Sequence, residues 1–219
     1  FFFDTCCLNY RRMNELAAPL NDLMMRTDQI RIKAPGTDIS FSIKDCCKPP
    51  ACGIFNIPCG ETGMPIIPES ANGIISYNLP SFFQNTLFEN IRLTLKDGII
   101  TEAVSNHTER MNQILDTDKN SRRIGEFAMG FNPYITKPIQ DTLFDEKMAM
   151  TMHFTPGNDS RYNPSAIHWD IVTSHAKEMG GGEIYADGVL IRKDGLFVLD
   201  ELKQLNPEEM KKELEAARL

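Results

Sequence analysis

Runs of alternating apolar and polar residues, closed by glycine turns, confine this chain to a fold built largely from antiparallel strands. Ile30-Arg31-Ile32 and Asp38-Ile39-Ser40-Phe41-Ser42-Ile43 alternate with period two on either side of Pro35-Gly36. Ile91-Arg92-Leu93-Thr94-Leu95 runs through Lys96-Asp97-Gly98 into Ile99-Ile100, the pattern of a tight hairpin. Asp187-Gly188 and Asp194-Gly195 fold residues 183–199 into a meander, and residues 73–77 read as a further strand. Helical spacing is sparser. Residues 8–25 place Met13, Leu16, Ala17, Leu20, Leu23 and Met24 on one face, with a kink or break expected at Pro19. Asn106 with Glu109 predicts a capped helix to about Leu115. Asn206, Pro207 and Glu208-Glu209 open a short last helix. Residues 45–72, rich in Pro, Gly and Cys, predict loops around one short strand. The expected class is α+β: a strand-rich domain with a mixed or antiparallel sheet or barrel-like core and flanking helices.

Composition excludes several functions. No apolar run approaches the ~18 residues that a membrane span needs. A net charge of −7 without a basic block argues against nucleic acid and against anionic membranes as partners. The six cysteines include two adjacent pairs, Cys6-Cys7 and Cys46-Cys47, which suit free cytosolic thiols better than a disulfide framework. A zinc knot from Cys46, Cys47, Cys52 and Cys59 is the sharper alternative, although no Cys-x-x-Cys spacing supports it. There is no Gly-x-Ser-x-Gly elbow and no Walker sequence, and Gly180-Gly181-Gly182 precedes a strand rather than opening a helix.

What remains is a set of metal-type side chains in short frames: Gly60-Glu61, Gly125-Glu126, His153 within an apolar run, and His168-Trp169-Asp170. Glu126 sits among residues that favour burial, and a buried carboxylate needs a cation, a metal or a proton. On a strand, His168 and Asp170 face one side while Trp169 packs behind them. His107, in a helix-start turn, and His175, beside Lys177 and Glu178, are expected at the surface. Two imidazoles and three carboxylates suit zinc, cobalt or manganese in a labile hydrolytic centre.

The blocks Pro35-Gly36-Thr37-Asp38, Asn56-Ile57-Pro58-x-Gly60-Glu61, Ile124-Gly125-Glu126-Phe127, Leu143-Phe144-Asp145-Glu146-Lys147, His153-x-x-x-Gly157 and His168-Trp169-Asp170 occur in this order. Together they resemble the C-terminal catalytic half of the thermophilic metallo-aminopeptidase family, over most of the chain from about Asp28 to Val198. The resemblance implies a cytosolic, homodimeric exopeptidase that acts on peptides with two divalent metal ions. Matched by position, Glu61, Glu126, His153, His168 and Asp170 are metal ligands with Glu126 as bridge, and Glu146 falls where the family has another. Glu126 or Glu61 would shuttle the proton, and Tyr162 is the nearest match to a catalytic tyrosine, in a segment between Gly157 and Ser165 that is shorter than the family pattern. The sequence also departs from that pattern at Cys59 and at Thr62-Gly63-Met64-Pro65. In that family an α/β domain comes first, so residues 1–27 are expected to be a helical link from such a domain and 28–219 the metal-binding catalytic domain. Phe1-Phe2-Phe3, without Met or a basic stretch, accords with a chain interior. Two rival readings share the ligands: a phosphoester hydrolase, drawing on Arg122-Arg123 and Lys147, and a diverged metal-binding domain without turnover.

Overall fold

The computed structural model describes residues 1–46, 53–159 and 161–217. Fifteen strands appear in this part: β1 Gln29–Ala34, β2 Thr37–Ser42, β3 Glu61–Pro65, β4 Asn72–Ser76, β5 Ser81–Phe83, β6 Thr86–Phe88, β7 Arg92–Lys96 and β8 Ile99–Val104, then β9 Ile124–Gly130, β10 Thr151–Asp159, β11 Asn163–His168, β12 Ile171–Ser174, β13 Glu183–Ala186, β14 Val189–Lys193 and β15 Leu196–Phe197. Helices are α1 Phe2–Cys6, α2 Tyr10–Arg26, α3 Thr108–Leu115, α4 Thr142–Asp145 and α5 Pro207–Ala216. Every ladder between named strands is antiparallel, so the class is α+β with two facing antiparallel sheets. The larger runs β15-β14-β13-β1-β2-β4-β7-β8, and the smaller runs β11-β10-β9-β3 with β12 extending the β10 pairing.

The turns follow their chemistry. Asp97-Gly98, Asp187-Gly188 and Asp194-Gly195 hold positive φ at both residues (50° and 75°, 47° and 80°, 48° and 81°), the geometry that matches strand twist. On β1, Ile30 and Ile32 turn inward while Arg31 and Lys33 face out. Phe41 of β2 meets Phe127 of β9 at 5.2 Å and Phe154 of β10 at 4.9 Å between ring centroids, which puts the main core between the sheets. All seven residues of β9 are buried. The carboxylate of Glu126 therefore sits in a strand that is almost wholly buried, at 7% exposure.

Helix α2 runs unbroken through Pro19, contrary to the break that proline suggests. The bond that Pro19 cannot make would have gone to the carbonyl of Glu15, an exposed residue whose oxygen water can serve. Asn9 caps the helix by accepting from Arg12 N at 3.0 Å. Met13, Leu16, Leu20 and Met24 are buried in the same core as the sheets, and Asn21 Oδ1 accepts from Thr62 Oγ1 on β3 at 2.9 Å.

Two further expectations need correcting. Asn106 does not cap α3; its side chain instead bonds Glu89 N and the Leu87 carbonyl, tying that helix to the β5–β6 ribbon. His175 is buried, at 1% exposure, while His107 is exposed as expected. The backbone N–H of His175 continues the β10 ladder to Met150, so the ring turns inward against Gly182. Lys177 and Glu178 reach water only on the next turn. Burial and the charge of Arg192 push the His175 imidazole down to about 3. Cys47 and Cys52, half of the thiolate set weighed above, lie outside the described residues.

Asp118 stitches the segment after α3 to β11. It accepts from Ala166 N at 2.7 Å, Ser165 Oγ at 2.9 Å and Asn120 N at 2.8 Å. These donors, the Ala166 amide foremost, hold its carboxyl down at about 2. A depressed folded pKa gives stability that is present above the unfolded value, near 3.9, and is lost as pH falls toward about 2. Because the group is partly solvated, Asp118→Asn is expected to cost about 1 kcal/mol at pH 6. Urea titrations of both proteins at pH 6 and pH 2.5 check this: the gap should narrow to about a third at the lower pH, and a constant gap would show that charge is irrelevant there.

Candidate metal centre

The smaller sheet has two chemically opposite faces. Phe127 and Phe154, partners across β9 and β10, point at the larger sheet, so their neighbours one residue along point away from it. Those neighbours are Glu126, Ala128, His153 and Thr155, with Glu61 on β3 opposite Gly130 of β9. Three of the expected ligands thus share one sheet face. The β9–β10 ladder slips between Thr155 and Pro156, beside Glu126, and such irregularities re-aim side chains at sites.

His168 and Asp170 reach the same face from its edge. His168 ends β11, and Asp170 lies in the link before β12 rather than on one strand with it. Trp169 between them turns the opposite way, fully buried, with Nε1 donating to Ser81 Oγ at 2.9 Å. Its ring stacks on Phe83 at 4.8 Å and lies 4.8 Å from Phe88. The expected side-by-side placement therefore holds, with His168 Nε2 3.2 Å from Asp170 Oδ1. Gly157, opposite His168, has φ +93°, and a Cβ there would stand 2.3 Å from the Ile167 carbonyl, so only glycine lets β11 approach.

Glu146 follows α4, whose start Asp141 caps at Leu143 N. Asp145 holds the preceding loop by accepting from Ile139 N and Gln140 N at 2.8 and 2.9 Å. All six expected ligands, Glu61, Glu126, Glu146, His153, His168 and Asp170, line one cavity of about 390 Å³, along with Asn56, Thr142 and Leu143. Tyr162 does not. It sits half-buried in the β10–β11 turn, packed against the core beneath the Arg161 guanidinium.

Electrostatics mark the cavity as a cation site. Four carboxylates face it or flank it, and the ammonium of Lys147 contacts two of them, Glu146 and Glu61, the latter at 2.9 Å. Asp170 is stripped of water by burial, yet His168, the charge of His153 and the Thr155 hydroxyl (2.6 Å) keep it below the usual carboxylate range. The Asp170 hydrogen bond in turn raises His168 to about 9. His168 Nδ1 lies 2.7 Å from the Asn158 carbonyl, which can only accept, so Nδ1 carries the proton and Nε2 faces the cavity.

His153 tests whether the residues fit a metal. It is 2% exposed, its Nδ1 makes no hydrogen bond, and its nitrogens lie 3.7 Å from Glu61 Oε2 and 3.8 Å from Asp170 Oδ1. Among the described residues, no three His, Cys, Asp or Glu donors already close around one ion position. A tetrahedral ion with bonds of about 2.0–2.1 Å holds its donors about 3.3 Å apart. One ion takes only one nitrogen of a ring, so the pairs to compare are His153 Nδ1 with Glu61 Oε2 (3.7 Å) on one side of the ring, and His153 Nε2 and His168 Nε2 with Asp170 Oδ1 (3.8 and 3.2 Å) on the other. Each differs from that spacing by about half an ångström at most, within the reach of a χ adjustment. The donor set fits a divalent cation, and a buried Nδ1 left without a hydrogen bond is explained by one.

The sequence offered Lys147 only as a cation for the rival phosphoester site, not as the buried partner of Glu61 and Glu146. The signal was available: a lysine running into Met148-Ala149-Met150 has to be buried, and a buried lysine has to be paired. Asn56, Thr142 and Leu143 carried no chemical signal of their own and become wall residues only through the fold.

Comparison with known proteins identifies the family and the fold. The family model for thermophilic metalloproteases (M29) matches residues 9–197. The chain is 26% identical over 212 residues to aminopeptidase T of Thermus thermophilus, covering 81% of this chain and 50% of that protein. It is 26% identical over 150 residues to aminopeptidase PepS of Streptococcus thermophilus, covering 62% and 36%. The chain spans about half the length of the aminopeptidase T proteins it matches. Among solved structures, wild-type AmpT from Thermus thermophilus superposes with a TM-score of 0.69 at 23% identity, over 87% of this chain and 55% of that one. The 2,5-dihydroxypyridine dioxygenase of Pseudomonas putida KT2440 superposes with a TM-score of 0.68 at 14% identity, over 87% and 61%. With most of its length matched, the chain belongs to the thermophilic metalloprotease family M29.

Proposed function

We propose that this chain forms the catalytic part of a metal-dependent aminopeptidase, with two divalent cations held by Glu61, Glu126, Glu146, His153, His168 and Asp170. The observation that carries this reading is the gathering of all six around one cavity whose central imidazole, His153, is buried without a hydrogen bond at Nδ1. Cations bound there supply the Lewis acidity that polarises a scissile carbonyl and acidifies water. The chain's own residues do the rest. Glu126, on the cavity floor, would be a ligand shared by the bound cations, and its carboxylate or that of Glu61 would accept the proton from attacking water and return it to the leaving amine. Asn158 and Thr155 orient His168 and Asp170 through the bonds described above. Tyr162 lies outside the cavity wall, and we give it no part in the step. The family resemblance supports peptide substrates, a homodimer and the cytosol; free thiols at Cys6 and Cys7 accord with a reducing compartment. No helix among the described residues is long and apolar enough to cross a membrane.

Two rival readings use the same residues. A phosphoester hydrolase needs cations in the cavity, but Arg122 pairs with Asp116, Arg123 with Glu69, and Lys147 lies behind the wall. A mononuclear iron site could draw on His153, His168 and Asp170, a two-histidine, one-carboxylate set on a fold shared with a dioxygenase. The three glutamates on the same wall exceed what that site uses and favour two cations. The test is hydrolysis of leucyl-anilide and a generic phosphodiester before and after chelation, with zinc, cobalt or manganese added back. Anilide cleavage that is lost on chelation and restored by metal is expected. Phosphodiester cleavage alone would overturn the peptidase reading.

A further inference from the structure

The hydrolytic reading leaves one costly group unused, the cation behind the cavity wall. The side chain of Lys147 is entirely shielded from water, while its ammonium contacts Glu146 Oε1 and donates to Glu61 Oε1 at 2.9 Å. Burying a lysine without excellent pairing is strongly unfavourable, and one carboxylate would have sufficed to neutralise it. Here both partners are walls of the cavity, and Lys147 is not.

Its backbone is fixed just as firmly. Lys147 N donates to the Phe144 carbonyl at 3.0 Å, and its own carbonyl accepts from Asn132 N at 2.8 Å. The Asn132 side chain donates to the Cys59 carbonyl at 2.8 Å, and Phe131 N donates to the Gly60 carbonyl at 2.7 Å. A Cβ at Gly60 would stand 2.7 Å from the Asn132 Cβ, so the close approach depends on glycine at φ +135°. One short run of bonds thus joins the backbone that carries the ammonium to the backbone that carries Glu61. With Oε1 held by Lys147, Glu61 turns Oε2 toward His153 Nδ1, 3.7 Å away.

We propose that Lys147 is a positioning residue of the metal centre, clamping Glu61 and Glu146 so that each offers a single oxygen to a divalent cation. This rests on the metal-centre reading. The clamp keeps two neighbouring carboxylates from splaying apart before the cation arrives, and it enforces one-oxygen coordination afterwards. A lysine of purely structural value would change stability and leave the cation's environment alone.

The experiment is a cobalt(II) titration of the full chain, followed by visible absorption, for wild type, Lys147→Met and Lys147→Arg, with circular dichroism as the check on folding. Lys147→Met should bind cobalt at least about 10-fold more weakly, the usual cost of losing an outer-shell partner, and shift the absorption band. Lys147→Arg, which keeps the charge, should recover part of the affinity. If Lys147→Met does not fold, Lys147→Met/Glu146→Gln removes one of the stranded carboxylates and is compared with Glu146→Gln alone, with the same loss expected. Wild-type affinity and an unchanged band in the lysine variant overturn the role of Lys147. A wild-type chain that takes up no cobalt overturns the metal-centre reading beneath it.

Discussion

Glu126→Gln should lower peptidase turnover by about 10³-fold or more while leaving the fold intact. The amide matches the carboxylate in shape, so β9 keeps its ladders to β3 and β10. On the proposed mechanism it could not carry a proton from water to the leaving amine, a function generally worth about 10²–10⁴ in rate, and it would remove an anionic donor from the proposed cation site. Stability should move the other way or hardly at all, because a carboxylate at 7% exposure is costly to keep charged. Turnover numbers and urea midpoints measured on the same preparations separate the two effects. A variant with the wild-type rate in saturating metal would remove Glu126 from the mechanism. One that fails to fold would mean that the carboxylate holds the strand itself.

Trp169→Ala should be the most damaging single change to stability, at about 4 kcal/mol, within the usual range for truncating a buried aromatic. Trp169 fills the space between the smaller sheet and the β5–β6 ribbon, stacked on Phe83 and against Phe88, with its indole N–H satisfied by Ser81. It also sets the directions of its two neighbours. Removing the ring frees the link that presents His168 and Asp170, so metal affinity should fall together with stability. Trp169→Phe tests the division of labour: stacking survives, the hydrogen bond does not, and the cost should shrink to about 1–2 kcal/mol. Equilibrium unfolding with a parallel metal titration reads both. A loss below about 1 kcal/mol with normal metal binding would show that the ring is not the support described here.

These two residues also show what was legible in the sequence. The hairpins at Asp97-Gly98, Asp187-Gly188 and Asp194-Gly195 could be read directly because positive φ at two successive positions selects so few residues. Five of the proposed ligands could be singled out because each charged or imidazole group interrupts an apolar or glycine-bounded frame, whereas Glu146 followed only from the family resemblance. Their meeting in one cavity was not legible, since it depends on which faces of β3, β9 and β10 coincide. His175 misled because its sequence neighbours are polar, whereas its burial follows from a ladder bond to Met150. Asn106 misled because a capping residue and a loop tie look alike until its partners, Leu87 and Glu89, are seen. Tyr162 followed from family position alone, and the turn after β10 leaves it outside the cavity wall.

The most direct test is the metal content of the purified chain after exposure to zinc, cobalt or manganese and removal of the unbound ion. Two divalent ions per chain are expected, falling when His153 or Asp170 is replaced by alanine. A chain that holds none, or whose binding is indifferent to those replacements, would contradict the metal-centre reading.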